Sequence, residues 1–219
     1  MLAAFLFTPT LQSHKFHHLE FYCGDSQNTA ARFGWALGMQ TVAKSDQSTG
    51  NAHYASTVMR SHDMTLVFTC PYSTTIDRSK SVPAHPGFNG HEAHEFIKRH
   101  GFGARAIGIL CDDAAAGHAA AVANGGVSAL APQTLRDATS PGHCVIAELR
   151  LYGDAVLRLV SKHDGYNGPF LPNYAAVQSP PVTYGIQRID HIVGNVPSLL
   201  EAVNYIARMT GFHEVRVDA

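Results

Sequence analysis

FHHLEFYCGD, residues 16 to 25, is the stretch from which the rest of the chain can be read. Phe16 to Cys23 alternates as a strand does, and Gly24-Asp25 turns the chain. Asp25 is suited to cap a following helix with its carboxylate. Ala30, Phe33, Gly34 and Leu37 then recur at helical spacing until Gly38 stops them. Three short strands follow at residues 39–43, 53–59 and 64–69, with the turn-forming SDQSTGN, residues 45–51, between the first two. The module reads strand, helix, three strands.

Residues 70–88 form a Pro- and Ser-rich loop. Asn89 opens a helix with Glu92 at capping-box spacing, and Gly101 closes it. A second module starts at Arg105. Residues 106–111 alternate, Asp113 caps, residues 114–123 make an Ala-rich helix, and Asn124-Gly125-Gly126 ends it. Two strands follow at residues 145–151 and 155–161, joined by Tyr152-Gly153-Asp154. A third start is YGIQRIDHIVGNVP, residues 184–197, an apolar strand running into a turn. After it come a helix bearing Leu200, Val203, Tyr205 and Ile206, a stop at Gly211, and a strand at 212–217.

The three starts are in phase. His18 precedes Gly38 by 20 residues, Ala106 precedes Gly126 by 20, and His191 precedes Gly211 by 20. That is a repeated supersecondary unit, and each copy needs a sister to bury its apolar sheet face. The expected fold class is α+β, with two paired strand–helix–three-strand modules plus the truncated start of a third. The expected organisation is a loose tail at 1–15, a two-module domain without metal at 16–165, a linker at 166–183 and the opening of a further domain at 184–219. A sheet that stops part-way leaves an open edge, so the chain is expected to be part of a longer protein.

Composition limits the function. The 219 residues are 45% apolar and 15% charged, with a net charge of −1, which describes a globular chain. There is no basic stripe for nucleic acid and no apolar run of membrane length. Met1 to Phe7 is short and lacks a basic start or small-residue cleavage site, so no signal peptide is expected. Four scattered cysteines without a Cys-x-x-Cys pair read as thiols in a reducing compartment, two disulfides being the alternative. No phosphate loop or Gly-x-Ser-x-Gly elbow occurs.

A strand histidine is either a satisfied core group or a metal ligand. His17 and His18 are adjacent on a strand and should point to opposite faces. His91 and His94 share a helix face with Glu92 and Glu95, which reads as a solvated polar face. Phe33 and Trp35 on the first helix read as core or subunit contacts.

The repeat, with a histidine on its first strand, resembles the vicinal-oxygen-chelate (glyoxalase-like) superfamily. FHHLEFYCGD, KSDQSTGN (44–51), VFTCPYS (67–73), LYGDAVLRLVS (151–161), FLP (170–172), YGIQRIDHIVGNVP and TGFHE (210–214) resemble the plant-type 4-hydroxyphenylpyruvate dioxygenase family. The resemblance covers residues 16–219. It implies an Fe(II)-dependent dioxygenase acting on 4-hydroxyphenylpyruvate and O₂ to give homogentisate and CO₂ in tyrosine breakdown. It also implies a homodimer and a cytoplasmic or plastid location. In that family two histidines and a glutamate hold the iron in the C-terminal domain, a facial triad. His191 falls on the first ligand, with Val193 and Asn195 beside the substrate cavity. The other two ligands fall beyond residue 219, so this chain alone is expected to be inactive. No other catalytic residue is assigned. In the first domain Arg158 occupies the place of the family's ligating glutamate, and a guanidinium cannot ligate a cation. The rival expectation is a non-catalytic binding or assembly module of the same superfamily.

Overall fold

The computed structural model describes residues 11–73, 75, 81, 83–138 and 140–213. The first module is β1 (Ser13–Tyr22), α1 (Ser26–Leu37), β2 (Gln40–Ser45), β3 (Tyr54–Ser61) and β4 (Met64–Pro71). Asp25 accepts the Asn28 N–H at 3.0 Å, and Gly38 ends α1 at φ 62°, a left-handed conformation that favours glycine. After α2 (Gly90–His100), the second module is β5 (Gly103–Cys111), α3 (Ala114–Ala123), β6 (Ser128–Leu135), β7 (His143–Tyr152) and β8 (Ala155–His163). A short β9 (Ala175–Ala176) and α4 (Leu199–Thr210) follow.

Among the described residues the nine strands form one sheet in the order β6-β7-β8-β5-β1-β4-β3-β2-β9. β1 and β5 are antiparallel neighbours at its middle, and each runs parallel to the last strand of its own module. The register makes the two modules pseudo-twofold copies. Leu19 opposes Ile107 on the dyad, while His18 opposes Gly108 and Glu20 opposes Ala106. His18 is therefore equivalent to Ala106 and Glu20 to Gly108, the same alignment as the 20-residue sequence repeat. Carried outward, the register makes Val67 equivalent to Arg158 and Val58 equivalent to Glu148.

The two faces of the sheet differ. On the outer face α1 packs over Phe21, Met59, Leu66 and Phe68, and α3 with α4 packs over Ile107, Ile109, Leu157 and Leu159. On the inner face, residues from opposite ends of the sheet share one cluster, Ala43, Tyr54 and Val58 with Leu135, Ile146 and Val160. A flat sheet would hold its ends roughly 30 Å apart at ~4.8 Å per strand, so the sheet curls into a cup. Tyr166, Phe170, Leu171 and Tyr174 fill that cup.

Several expectations are corrected here. β6 was not expected. Its Pro132 cannot donate to a ladder, and it survives because β6 is an edge strand with irregular register. Residues 166–183 look like a linker by composition, yet they supply the aromatic plug. They also supply β9, which covers the β2 edge, and Arg60 Nη2 donates to Pro169 O at 2.7 Å. The strand expected at 184–193 is irregular. Its backbone crosses the β3–β4 hairpin instead, with Ile186 O accepting from Ser61 Oγ at 2.9 Å and Gln187 O accepting from Asp63 N–H at 2.8 Å. In the expected tail, Leu11 is buried and β1 already begins at Ser13; residues 1–10 lie outside the described set. The expected strand at 212–217 also lies largely outside it.

Gly108 lies directly under the His18 ring, where an added Cβ would collide with the imidazole. Gly108→Ala should lower stability by about 1–3 kcal/mol through overpacking. Gly24→Ala, where a Cβ meets nothing within 4 Å, should stay within about 0.5 kcal/mol of the parent. Urea unfolding of the two variants checks the contrast.

Candidate functional site

The inner face carries a buried polar cluster built from both modules. β1 contributes His17, His18 and Glu20. A bulge places Phe16 opposite Ile109 and His18 opposite Gly108, so two residues of β1 span a single step of β5. His17 and His18 therefore turn to the same side, against the expected opposite faces. Their Nδ1 atoms lie 2.8 Å apart and both rings contact Phe170. β7 and β8 contribute the cross-strand pair Glu148 and Arg158. The loop before α2 contributes His85.

Arg158 is the hub. Its Nη1 lies 2.7 Å from Glu20 Oε2 and 3.1 Å from His18 Nε2, and its Nε lies 2.7 Å from Glu148 Oε1. Glu148 also accepts from His85 Nε2 at 3.0 Å. The second oxygen of Glu20 accepts from Thr69 Oγ1 at 2.6 Å, and a hydroxyl chain runs on to Ser56 and Tyr174. Because a guanidinium has no acceptor, it donates to His18 Nε2, which sets the proton of His18 on Nδ1, facing His17.

Burial works against every charge here. For Arg158 it disfavours the cation, but Glu20 and Glu148 outweigh it and raise the pKa. For Glu148 it opposes ionisation, but Arg158 and His85 outweigh it and hold the carboxyl well below its usual range. Burial, with neighbouring cations, lowers His17 to about 3. Burial, with His17 and Arg158, lowers His18 well below 6.5. The cluster is a neutral imidazole pair beside a carboxylate–guanidinium–carboxylate bridge. Its cation position is taken by a side chain, and among the described residues no three His, Cys, Asp or Glu side chains converge as metal ligands.

The residues picked out in the third start lie elsewhere. His191 is exposed, with Nδ1 at 3.0 Å from Asp190 Oδ2. Val193 is 82% exposed and Asn195 is exposed, so the three share a surface segment rather than an enclosed pocket. His91 and His94 are exposed, and His94 Nε2 meets Tyr72 O at 3.1 Å. Phe33 packs against Phe68 at 4.8 Å, whereas Trp35 is 83% exposed. Sequence reasoning passed over Glu20, His85 and Glu148. The available signal was a glutamate within each of two apolar strands, FHHLEFYC and VIAELRL.

The chain is 45% identical to the 4-hydroxyphenylpyruvate dioxygenase of Plectranthus scutellarioides over 205 residues, 92% of this chain and 46% of that protein. It is 47% identical to the Daucus carota protein of the same name over 91% of this chain and 45% of that protein. Over most of its length the chain is similar to plant proteins named 4-hydroxyphenylpyruvate dioxygenase. It spans about half the length of the curated relatives it matches. No protein-family model matches it. A 4-hydroxymandelate synthase variant from Streptomyces coelicolor shares the fold, with a TM-score of 0.69 at 20% identity, covering 92% of this chain and 53% of that one. The fold is that of paired vicinal-oxygen-chelate modules. In this chain Arg158 bridges the inner faces of the two modules.

Removing Arg158 would leave two buried carboxylates facing each other. Arg158→Met should cost about 3–5 kcal/mol, seen as a fall in Tm of roughly 6–20 °C at ~2–4 °C per kcal/mol. Adding Glu20→Gln and Glu148→Gln should recover much of the loss; a single variant as stable as the parent would show that the bridge contributes little. Acid should also weaken the fold. The folded-state pKa values of His17, His18 and Glu148 all lie below their unfolded values, so the unfolded chain binds more protons as pH falls. The histidine contribution is complete above about pH 6.5 and is lost on acidification towards about 3. The urea midpoint should be lower at pH 5 than at pH 7.5, and His17→Phe should narrow that gap.

Proposed function

We propose that this chain provides the two-module scaffold and the first iron-binding segment of an Fe(II)-dependent dioxygenase that converts 4-hydroxyphenylpyruvate and O₂ to homogentisate and CO₂. The observation that carries this reading is the 42–47% identity to plant enzymes of that name over about 91% of the chain. The described residues do not make a complete iron site by themselves. When bound, ferrous iron would supply positions for the keto acid and O₂.

In this reading the two modules are structural, because Arg158 and the aromatic plug fill their inner face. His191 is the metal-facing residue. Its Nδ1–H donates to Asp190, which leaves the Nε2 lone pair pointing outward, the arrangement in which a carboxylate orients a ligating imidazole. Val193 would present an apolar wall to the aromatic ring of the substrate, and Asn195 an amide to its polar end. The filled cup also supports a second reading, a purely non-catalytic assembly module.

A fusion separates the two readings. The chain would be joined at Ala219 to the portion of the Daucus carota enzyme that follows the aligned region. The fusion, supplied with Fe(II), should form homogentisate from 4-hydroxyphenylpyruvate, and His191→Ala in it should lower the rate at least about 100-fold. The 219-residue chain alone should form none. A folded fusion that is inactive, or one indifferent to His191→Ala, would favour the assembly reading.

A further inference from the structure

The parallel ladder between β1 and β4 continues one rung past the end of β1. Cys23 N–H donates to Thr69 O at 3.0 Å, the bond that sets Cys23 opposite Cys70. The preceding outer-face rungs are Leu19 with Leu66 and Phe21 with Phe68, and the two phenylalanine rings stack at 5.7 Å. The two-residue period puts both cysteines on that same face, and both pack into the cluster of Ala30 and Phe68. Neighbouring strands lie about 4.8 Å apart, within the ~4.4–6.8 Å Cα separation that a disulfide spans. Both residues are free thiols.

The second module provides an internal control. Cys111 is the dyad equivalent of Cys23, and the thiols donate alike, Cys23 to Thr69 O at 3.7 Å and Cys111 to Val160 O at 3.5 Å. Opposite Cys111, however, the next rung holds Ser161, whose hydroxyl accepts the Ala114 N–H at 3.1 Å. Cys144 opposes Lys162. Of the four cysteines, Cys23 and Cys70 alone face each other across a rung.

We propose that Cys23 and Cys70 are a redox-sensitive pair that closes to a disulfide in the presence of a small disulfide oxidant such as oxidised glutathione. Cys70, the more exposed of the two, attacks the oxidant as its thiolate and releases one glutathione thiol. The Cys23 thiolate then attacks the Cys70 sulfur and releases the second. Two protein thiols are oxidised, one glutathione disulfide is reduced, and the two protons end on the released thiols. Burial raises Cys23 to about 11 and also raises Cys70, so closure is slow near neutrality and quickens as pH rises. The closed pair would tie the ends of β1 and β4 together beneath the start of α1.

The test is to incubate the folded 219-residue chain with oxidised glutathione at pH 8 and follow thiol count, intact mass and linked peptides. The free thiols should fall from four to two, with a mass loss of two hydrogens and a single Cys23–Cys70 linked peptide. Cys111 and Cys144 should still alkylate once the chain is unfolded. Cys70→Ser, which copies the Cys111–Ser161 rung, should fold by circular dichroism and form no cross-link. Cys23→Ala should stop at a glutathione adduct on Cys70. Survival of all four thiols, a lasting glutathione adduct on Cys70 in the parent chain, or a cross-link through Cys111 or Cys144 would overturn the proposal.

Discussion

A single guanidinium, Arg158, holds the two halves of this protein in register from the inside. It reaches Glu20 on the first strand of one module and Glu148 on its own, and it donates to His18 between them. A lone charge in this position would be expelled to solvent or neutralised. Two carboxylates, a neutral imidazole and a chain of hydroxyls make the site tolerable. The bridge need not be worth more than a well-packed apolar plug of the same volume. What it imposes is mutual dependence, since every member is costly without the others.

That dependence is arranged asymmetrically on a nearly symmetric frame. The dyad relates His18 and Glu20 to Ala106 and Gly108, and Arg158 and Glu148 to Val67 and Val58. Each module therefore gives polar groups at positions where its sister gives small or apolar ones. Gly108 of β5 leaves room for the His18 ring. One cluster results where exact symmetry would require two. Among the described residues, Arg158, its carboxylate partners and the aromatic plug fill this inner face.

Much of the frame was legible beforehand because its signals are local. Asp25, Asn89 and Asp113 cap the helices that follow them, and Gly38 and Gly211 end helices in the left-handed conformation. The 20-residue repeat matches the dyad seen in the strand register. The misses have equally definite causes. Pro132 concealed an edge strand. The bulge at His17 reversed a side chain that period-two counting sends outward. Gly, Pro and Asn between residues 166 and 183 disguised a segment whose Phe170, Leu171 and Tyr174 are buried. The strand-like run at 184–193 has no ladder partner among the described residues, and a strand is stable only in company.

The sequence by itself determined the repeated module, its capped helices and its resemblance to a dioxygenase, because capping, periodicity and motif spacing act over a few residues. Only the tertiary structure decided that His17 and His18 share a face, that Glu20, Glu148 and Arg158 meet, and that Cys23 lies across from Cys70. Glu20 lies far along the chain from Glu148 and Arg158, as Cys23 does from Cys70, and even the adjacent histidines share a face only because of a bulge in the ladder. Their meeting depends on strand register and sheet curvature, which the whole sheet sets together.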